Sequence, residues 1–315
     1  MLNKCIKFED GVNMERKKLL FVYNPCAGKG VIRSKLSYII ETFTNADYEV
    51  TVHATRRKND ATEMVAKYGS NYDLVACSGG DGTLNEVAIG IMQCEKRPPC
   101  GYIPTGTTND CASSLGLSKN IIKAAQTIVD GDLFPYDIGK INDDYFIYVA
   151  GFGAFTDVSY ATSQSVKNAL GRLAYLLEGV KRIPSLKSYH YQIEYDGEVI
   201  DDYFLYGMVS NSNSVGGFKG LNGKDVSLND GVFEVTLIKP PHNAIELQSI
   251  INSLLSEERE CKHIISFHTN HVRFISDELV PWTVDGEFGG NLKEADIVNL
   301  KHAISFKVDA YDNVK

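Results

Sequence analysis

Short apolar runs alternate with longer amphipathic segments from Lys18 to about Asp137. The apolar runs have the length and composition of buried strands and lie at residues 19–23, 48–53, 74–77 and 101–104. The segments with helical spacing lie at residues 31–43, 60–68 and 84–93. This alternation predicts an α/β N-terminal domain built on an open, Rossmann-like parallel sheet. The loops at the carboxyl ends of its strands should converge at one crevice.

Beyond Asp137 the apolar residues recur with period two. Between Tyr189 and Tyr195 they alternate with polar residues, as a half-buried strand requires. Further strands are predicted at residues 145–150, 204–209, 232–238, 264–268 and 272–276. Helices are predicted at residues 166–183 and 244–255. The C-terminal half is therefore predicted to be mainly β, most of it a β-sandwich.

A length of 315 residues exceeds that of one ordinary domain, so we expect two. Residues 1–17 are predicted to be a disordered extension, and residues 18–137 the α/β nucleotide-binding domain. Residues 138–304 are predicted to form the β-sandwich domain. The C-terminal residues 305–315 are expected to complete the first domain.

Charge and cysteine content narrow the class of protein. A net charge of −8 disfavours nucleic acid as the partner, because a phosphate backbone needs a basic face. No apolar run in the sequence is long enough for a membrane span, which disfavours membrane insertion. The N-terminal residues are polar, which disfavours Sec export. Its seven cysteines are odd in number and form no Cys-x-x-Cys pair, which indicates reduced thiols and a cytoplasmic protein.

The loop after the third predicted strand has the composition of a phosphate site. Gly79, Gly80 and Gly82 surround Asp81 directly before a helix, and Thr83 follows. Such a backbone can approach a polyphosphate while the helix N-terminus faces the anion. A carboxylate would repel bare phosphate, so Asp81 suggests a divalent cation between them. The alternative is a plain strand-to-helix turn with a capping aspartate.

Three other loops contain candidate ligand-binding residues. The turn from Asn24 to Gly30 has two glycines and a lysine but fits neither the Walker A pattern nor the dinucleotide fingerprint. The loop after the fourth strand offers Thr107 and Asp110, of which Asp110 could bind metal or cap the next helix. Thr55 ends the second strand and is a weak candidate. Ordinary turns and helix capping remain alternatives for all of them.

Together these loops resemble the diacylglycerol kinase catalytic domain in its soluble bacterial form. The matching motifs are Gly-Gly-Asp-Gly-Thr-x-Asn-Glu, an earlier Asn-Pro-x-x-Gly and a later Pro-x-Gly-Thr-x-Asn-Asp. In the second half, residues 228–233 and 284–287 resemble the family's Asp-Gly-Leu and Asp-Gly-Glu segments. These five motifs in the expected order are far more specific than any one of them.

The resemblance implies an ATP-dependent lipid kinase whose nucleotide lies between the two domains. Carried over by position, the nucleotide-lining residues are Asn24, Pro25, Cys26, Ala27, Gly28, Thr55, Gly79, Gly80, Asp81, Gly82, Thr83, Leu84, Asn85, Glu86 and Thr107. Cys26-Ala27 stands where the family often has a residue followed by serine, so one hydroxyl contact to phosphate is missing.

The same resemblance assigns the catalytic and metal positions. Glu287 matches the general base, and Asp285 would orient it or share its role. Asp81 would bind the catalytic Mg²⁺. A structural Mg²⁺ would match Ser227, Asp230 and Val232, the first and last through backbone carbonyls.

The implied acceptor is a lipid alcohol, with diacylglycerol favoured and phosphatidic acid as the product. The open alternatives are a kinase for sphingoid bases or other lipids, a NAD kinase and a non-catalytic nucleotide or lipid sensor. The protein would contact the inner membrane face transiently. Residues 166–186 have basic residues around a leucine-rich face that could lie on an anionic bilayer, but a core helix with a solvated basic face is the favoured explanation. A homodimer is also open.

Overall fold

The computed structural model describes residues 16–153, 187–215, 218–219, 226–255, 261–311 and 314. The predicted helix at residues 166–183 lies outside these ranges, as do residues 1–15 of the predicted extension. The first strand begins at Lys17, so the last residue assigned to that extension belongs to the sheet instead.

The N-terminal part of the sheet consists of parallel strands, whose pairing gives the order β4-β3-β1-β2. These strands are β1 (Lys17–Tyr23), β2 (Tyr48–Ala54), β3 (Leu74–Gly79) and β4 (Cys100–Pro104). The helices of this part are α1 (Leu36–Asn45), α2 (Asp60–Tyr68), α3 (Asp81–Met92), α4 (Asp110–Ser114) and α5 (Ile121–Asp130). Helices α2 and α3 pack on one face of the sheet, and α1 and α5 on the other. Burial on both faces explains why β3 is an uninterrupted run of buried residues.

Two predicted helices have different bounds in the structure. The segment predicted as a helix at residues 31–43 begins with 3₁₀ turns over Ala27–Lys35 and becomes α-helical only at α1. Gly28 and Gly30 have φ of 54° and 76°, which no regular right-handed helix contains. Helix α3 begins at Asp81 rather than at Leu84. Gly80 is extended there, and its carbonyl accepts the N–H groups of Thr83 and Leu84.

The C-terminal half is mainly β. Its described strands are β5 (Asp132–Ile141), β6 (Asp144–Phe146), β7 (Val149–Gly153), β8 (Tyr189–Tyr195), β9 (Glu198–Phe204), β10 (Tyr206–Ser210), β11 (Ser214–Val215), β12 (Phe218–Lys219), β13 (Phe233–Ile238), β14 (Ile264–Thr269), β15 (His271–Val284) and β16 (Glu287–Val308). Helix α6 (Ala244–Leu255) has the predicted bounds. The strand predicted at residues 145–150 is interrupted between β6 and β7, and that predicted at residues 204–209 spans the break between β9 and β10.

One long strand connects the two halves. Over its 22 residues β16 pairs with β15 and β5, and Phe306 pairs in parallel with Cys100 of β4. Fourteen described strands therefore belong to one hydrogen-bonded sheet with the main order β14-β13-β10-β7-β15-β16-β4-β3-β1-β2. The predicted fold class, a parallel α/β part followed by a mainly β part, is confirmed.

Candidate active site

The glycine-rich loops of the α/β part touch one another at the carboxyl ends of β1, β3 and β4. A Cβ atom on Gly28 would lie 2.0 Å from the carbonyl oxygen of Thr105, and one on Gly106 would lie 2.4 Å from the Cα atom of Gly80. The carbonyl of Gly79 accepts the N–H groups of Thr105 at 2.8 Å and Gly106 at 3.1 Å. The expected convergence of these loops is therefore present, and it depends on glycine where the backbones meet.

Gly82, in the first turn of α3, faces open space instead. A Cβ atom there would meet nothing within 4 Å, whereas one on Gly79 would lie 2.4 Å from the Thr83 side chain. A helix N-terminus with open space beside it suits a phosphate group, because backbone N–H groups and the helix dipole face the anion.

The Asn24 side chain shapes the first loop. Its Oδ1 accepts the Cys26 N–H at 2.9 Å, and its Nδ2 lies 3.5 Å from Oγ1 of Thr83. The Asn-Pro turn after β1 is thus held against the motif that begins α3. Pro25, Cys26 and Ala27 lie in this turn, and Cys26 is exposed.

The Asp81 side chain lies against the N-terminus of α4 and beside a second carboxylate. Its Oδ1 accepts the Cys111 N–H at 3.4 Å, and backbone N–H groups of Asn109 and Asp110 also stabilise its charge. Burial, and then the negative charge of Asp110, raise the pKa of Asp81 to about 6. Asp81 therefore caps a helix, as the alternative interpretation of the sequence held, but the helix is α4 rather than its own. A divalent cation fits this pair because it would remove the carboxylate repulsion.

Asn85 connects the glycine motif to the C-terminal half. Its Nδ2 donates a hydrogen bond to Oδ2 of Asp285, which lies 200 positions further along the chain. The Asp285 carboxylate also accepts the N–H groups of Ile147 at 2.6 Å, Tyr148 at 3.0 Å and Val149 at 3.0 Å. Burial raises the pKa of Asp285, and these hydrogen bonds oppose that effect. Because both of its oxygens are engaged, Asp285 suits the orienting role better than the acceptance of a proton.

The turn between β15 and β16 brings Glu287 to the same place. Asp285 and Gly286 have φ of 47° and 82°, the positive values that a two-residue type I′ hairpin turn requires and Asp-Gly favours. Glu287 follows as the first residue of β16, and its side chain is 65% exposed. Its Oε2 lies 2.9 Å from Nζ of Lys58, on the loop between β2 and α2.

A buried tyrosine lies among the carboxylates of both halves. Burial raises the pKa of Tyr148 well above its usual range, and the charges of Asp285, Asp81 and Asp110 add to the shift in that order. The glycine motif, the loop before α4 and the Asp-Gly-Glu turn therefore surround one region of the molecule.

The remaining residues predicted to line the nucleotide have different surroundings. Leu84 is buried in the core, so its side chain does not line the cleft. The Glu86 carboxylate accepts the N–H groups of Asn59 at 2.9 Å and Ala61 at 3.2 Å, which fastens the N-terminus of α2 to α3. Thr55 is half-buried at the end of β2, and Thr107 is exposed.

The predicted structural magnesium positions lie before β13. Ser227 Oγ contacts Oδ1 of Asn229 at 3.2 Å, and the Asp230 carboxylate accepts the Val232 N–H at 3.0 Å. Among the described residues no three His, Cys, Asp or Glu side chains form a cluster, so a cation here would depend on carbonyl oxygens.

Asp137 is a buried carboxylate that the sequence analysis missed. It accepts the N–H groups of Gly231 at 2.6 Å and His302 at 2.7 Å, and burial raises its pKa. It therefore ties the segment before β13 to β5 and β16. The sequence feature that could have indicated it is a single aspartate inside the otherwise apolar run of residues 134–138.

A parallel α/β sheet with glycine-rich loops, joined to a β region that contributes a carboxylate turn, suits the phosphate transfer that defines a kinase. Comparison with known proteins identifies the family. Residues 18–141 match the diacylglycerol kinase catalytic domain, and residues 149–299 match the YegS C-terminal NAD kinase beta sandwich-like domain. The chain belongs to the diacylglycerol kinase catalytic-domain family.

Similar proteins cover nearly the whole chain. The diacylglycerol kinase of Bacillus subtilis (strain 168) is 38% identical over 286 residues, which are 90% of this chain and 94% of that one. The diacylglycerol kinase of Staphylococcus carnosus (strain TM300) is 37% identical over 292 residues, 92% of this chain and 94% of that one. A crystal structure of a diacylglycerol kinase from Bacillus anthracis str. Sterne has a TM-score of 0.74 at 23% identity, covers 93% and 97% of the two chains, and shows the shared fold.

Within the described ranges, no helix combines the length and the apolar character that crossing a bilayer requires.

Proposed function

We propose that this protein is a diacylglycerol kinase, which transfers the γ-phosphate of ATP to the free hydroxyl of diacylglycerol and forms phosphatidic acid. One observation carries the proposal. The hydrogen bond between Asn85 and Asp285 joins the glycine motif of one half to the Asp-Gly-Glu turn of the other, in a chain of this family. Phosphoryl transfer needs that arrangement, because the phosphate donor and the proton acceptor must face the same hydroxyl.

The glycine-rich loops would hold the triphosphate. The turn from Asn24 to Gly28 and the first turn of α3 around Gly82 present backbone to the cleft, and backbone N–H groups replace the missing serine hydroxyl. Asp81, with Asp110 beside it, would hold Mg²⁺, which neutralises charge on the phosphates when bound. The second magnesium position, at Ser227, Asp230 and Val232, would stabilise the segment before β13 rather than take part in transfer.

The carboxylates of the Asp-Gly-Glu turn would divide the remaining tasks. Glu287, which is exposed and lies at the start of β16, would accept the proton of the lipid hydroxyl at a carboxylate oxygen. Asp285, whose oxygens are engaged by backbone N–H groups and Asn85, would fix the position of the turn.

The acceptor is tested by phosphate transfer from labelled ATP to a panel of diacylglycerol, a sphingoid base and NAD. We expect labelled phosphatidic acid as the dominant product. Transfer to the sphingoid base or NAD instead would reassign the substrate, and nucleotide binding without any transfer would favour the sensor alternative.

Because diacylglycerol resides in membranes, we also propose transient contact with the cytoplasmic face of the inner membrane. The basic residues of residues 166–186 are the sequence feature that supports it. Liposome flotation should depend on anionic lipid and weaken on charge reversal at Lys181 and Arg182. Flotation that ignores both would remove this proposal. The homodimer is a separate proposal, which sedimentation of the purified protein decides.

A further inference from the structure

Lys58 contacts the proposed proton acceptor from the opposite half of the molecule. Its Nζ lies 2.9 Å from Oε2 of Glu287, and the two residues are separated by 229 positions in the chain. Both side chains are exposed, 71% for Lys58 and 65% for Glu287. An exposed ion pair of this kind contributes little to stability, so its place at the reacting group calls for another explanation.

The loop that presents Lys58 is fixed on both sides. Asn59 has φ of 65°, and its N–H donates to the Glu86 carboxylate at 2.9 Å, which fastens the loop to α3. Before Lys58, the Arg56 N–H donates to the buried Asp60 carboxylate at 2.8 Å. The Lys58 backbone is therefore held against the helix of the glycine motif, and only its flexible side chain needs to move.

Transfer chemistry places the terminal phosphate near this lysine. A general base lies about 3 Å from the hydroxyl that it deprotonates. The hydroxyl oxygen in turn lies about 3–3.5 Å from the phosphorus that it attacks. The phosphorus would then be within about 7 Å of the Glu287 carboxylate. A four-carbon side chain that already touches this carboxylate can reach a phosphate oxygen by changing rotamer.

We infer that Lys58 is a further functional residue, which pairs with Glu287 before the nucleotide binds and with the terminal phosphate of ATP afterwards. The inference rests on the proposed kinase function. Transfer of the ammonium from carboxylate to phosphate leaves the lone pairs of Glu287 available for the hydroxyl proton. It also places a positive charge on the phosphate that is transferred.

Three variants test the inference. Lys58→Met removes the charge and keeps the length, and Lys58→Arg restores a charge. Arg57→Met is the matched control, because Arg57 lies on the same loop but pairs with Glu63 at 2.7 Å, away from Glu287. Calorimetry measures the affinity of each variant for a non-hydrolysable ATP analogue and for ADP, both with Mg²⁺. Steady-state assays give kcat and KM for phosphate transfer.

We expect Lys58→Met to bind the ATP analogue about tenfold more weakly than the wild type and to lower kcat about tenfold, the scale of one charge-assisted contact. ADP has no terminal phosphate at this position, so its affinity should stay within about twofold. Lys58→Arg should recover most of both losses, and Arg57→Met should match the wild type.

Two outcomes would overturn the inference. If Lys58→Met behaves like Arg57→Met, the pair is only a surface contact. If Lys58→Met raises kcat, the lysine restrains Glu287 and does not serve the phosphate. A wild type that transfers phosphate to none of the acceptors would defeat the proposed function, while the contrast between the ATP analogue and ADP would still decide whether Lys58 contacts the terminal phosphate.

Discussion

Asp285 and Glu287 are two residues apart, and their surroundings are opposite. Asp285 is 5% exposed and accepts hydrogen bonds on both carboxylate oxygens, whereas the Glu287 side chain is 65% exposed and contacts a lysine. A residue that accepts a proton needs an available lone pair and access to substrate. At the scale of single residues, the hairpin turn therefore separates a buried carboxylate, to which we assign the positioning role, from an exposed one, which we propose as the proton acceptor.

Glu287→Gln should lower kcat about a hundredfold or more, because the amide cannot accept the hydroxyl proton. Nucleotide affinity should change little. The measurement is steady-state transfer together with binding of an ATP analogue.

Glu294→Gln is the control for Glu287→Gln, since Glu294 lies on the same strand and pairs with Arg273 at 2.7 Å. It should retain full activity. Full activity of Glu287→Gln would refute the assignment of the base.

Asp285→Asn should destabilise the fold by about 2–4 kcal/mol, because an amide NH₂ would face backbone N–H donors in a buried site. Urea unfolding measures the loss. Asp201→Asn is the control, because the Asp201 side chain is 63% exposed and pairs with His190. It should lower the free energy of unfolding by less than about 1 kcal/mol. Equal losses for the two variants would mean that Asp285 does not anchor the turn.

Asp81 should make stability depend on pH when divalent cations are absent. Its folded-state pKa of about 6 lies above the ordinary aspartate value of 3.8, so the native state binds the proton more tightly than the unfolded chain. The free energy of unfolding should therefore fall as pH rises from about 4 to 6, by at most about 3 kcal/mol. Asp81→Asn should lack this component. Denaturant unfolding measures the free energy of unfolding at each pH. If its pH dependence is the same in the wild type and in Asp81→Asn, burial and repulsion do not raise the pKa of Asp81.

At the scale of elements, the local hydrophobic pattern of the sequence predicts the ends of some helices and strands but not of others. The helices at residues 60–68 and 244–255 were predicted with the bounds of α2 and α6, because their apolar spacing is regular. The strand predicted at residues 145–150 is interrupted at its middle, since the N–H groups of Ile147 and Tyr148 bind Asp285 instead of a neighbouring strand. That partner lies 138 positions away from Ile147, so no local pattern indicates it.

Gly82→Ala should separate stability from nucleotide binding at the start of α3. Beyond its chain neighbours and the backbone of its own helix, the new methyl group meets no atom within 4 Å, and alanine favours a helix by up to about 1 kcal/mol, so stability should be unchanged or higher. The same methyl group would occupy the space assigned to phosphate, and ATP affinity should fall about tenfold. Thermal unfolding and calorimetry measure the two effects.

Gly28→Ala is the contrasting variant for Gly82→Ala. Its Cβ atom would lie 2.0 Å from the Thr105 carbonyl oxygen at a φ of 54°, so both stability and nucleotide binding should be lost. If ATP affinity is unchanged in Gly82→Ala, phosphate does not bind beside Gly82.

At the scale of the whole molecule, the candidate site exists because distant segments meet. The glycine motifs could be recognised because each is short and contiguous. The contacts Asn85 to Asp285 and Lys58 to Glu287 could not, because they join positions 200 and 229 residues apart. Sequence reasoning thus identified most of the candidate residues but not how the two halves are fastened to each other.

The continuous sheet predicts a single unfolding transition for both halves. Trp282 is the one tryptophan of the chain and is buried in the C-terminal core, so its fluorescence reports on that half. Far-UV circular dichroism includes the helices of the α/β part. Because β16 pairs with strands of both parts, the two signals should change at the same urea concentration. Two separate midpoints would show that the halves unfold independently.

The path of β16 also limits how this protein could be divided. A cut that separates the α/β part from the rest would break the pairing of Phe306 with Cys100 and expose the edge of β4 that faces β16. Each fragment would then have an unpaired strand edge that can pair with other chains and lead to aggregation. Co-expressed fragments that rejoin along this seam should regain function as a split enzyme, whereas either fragment alone should aggregate.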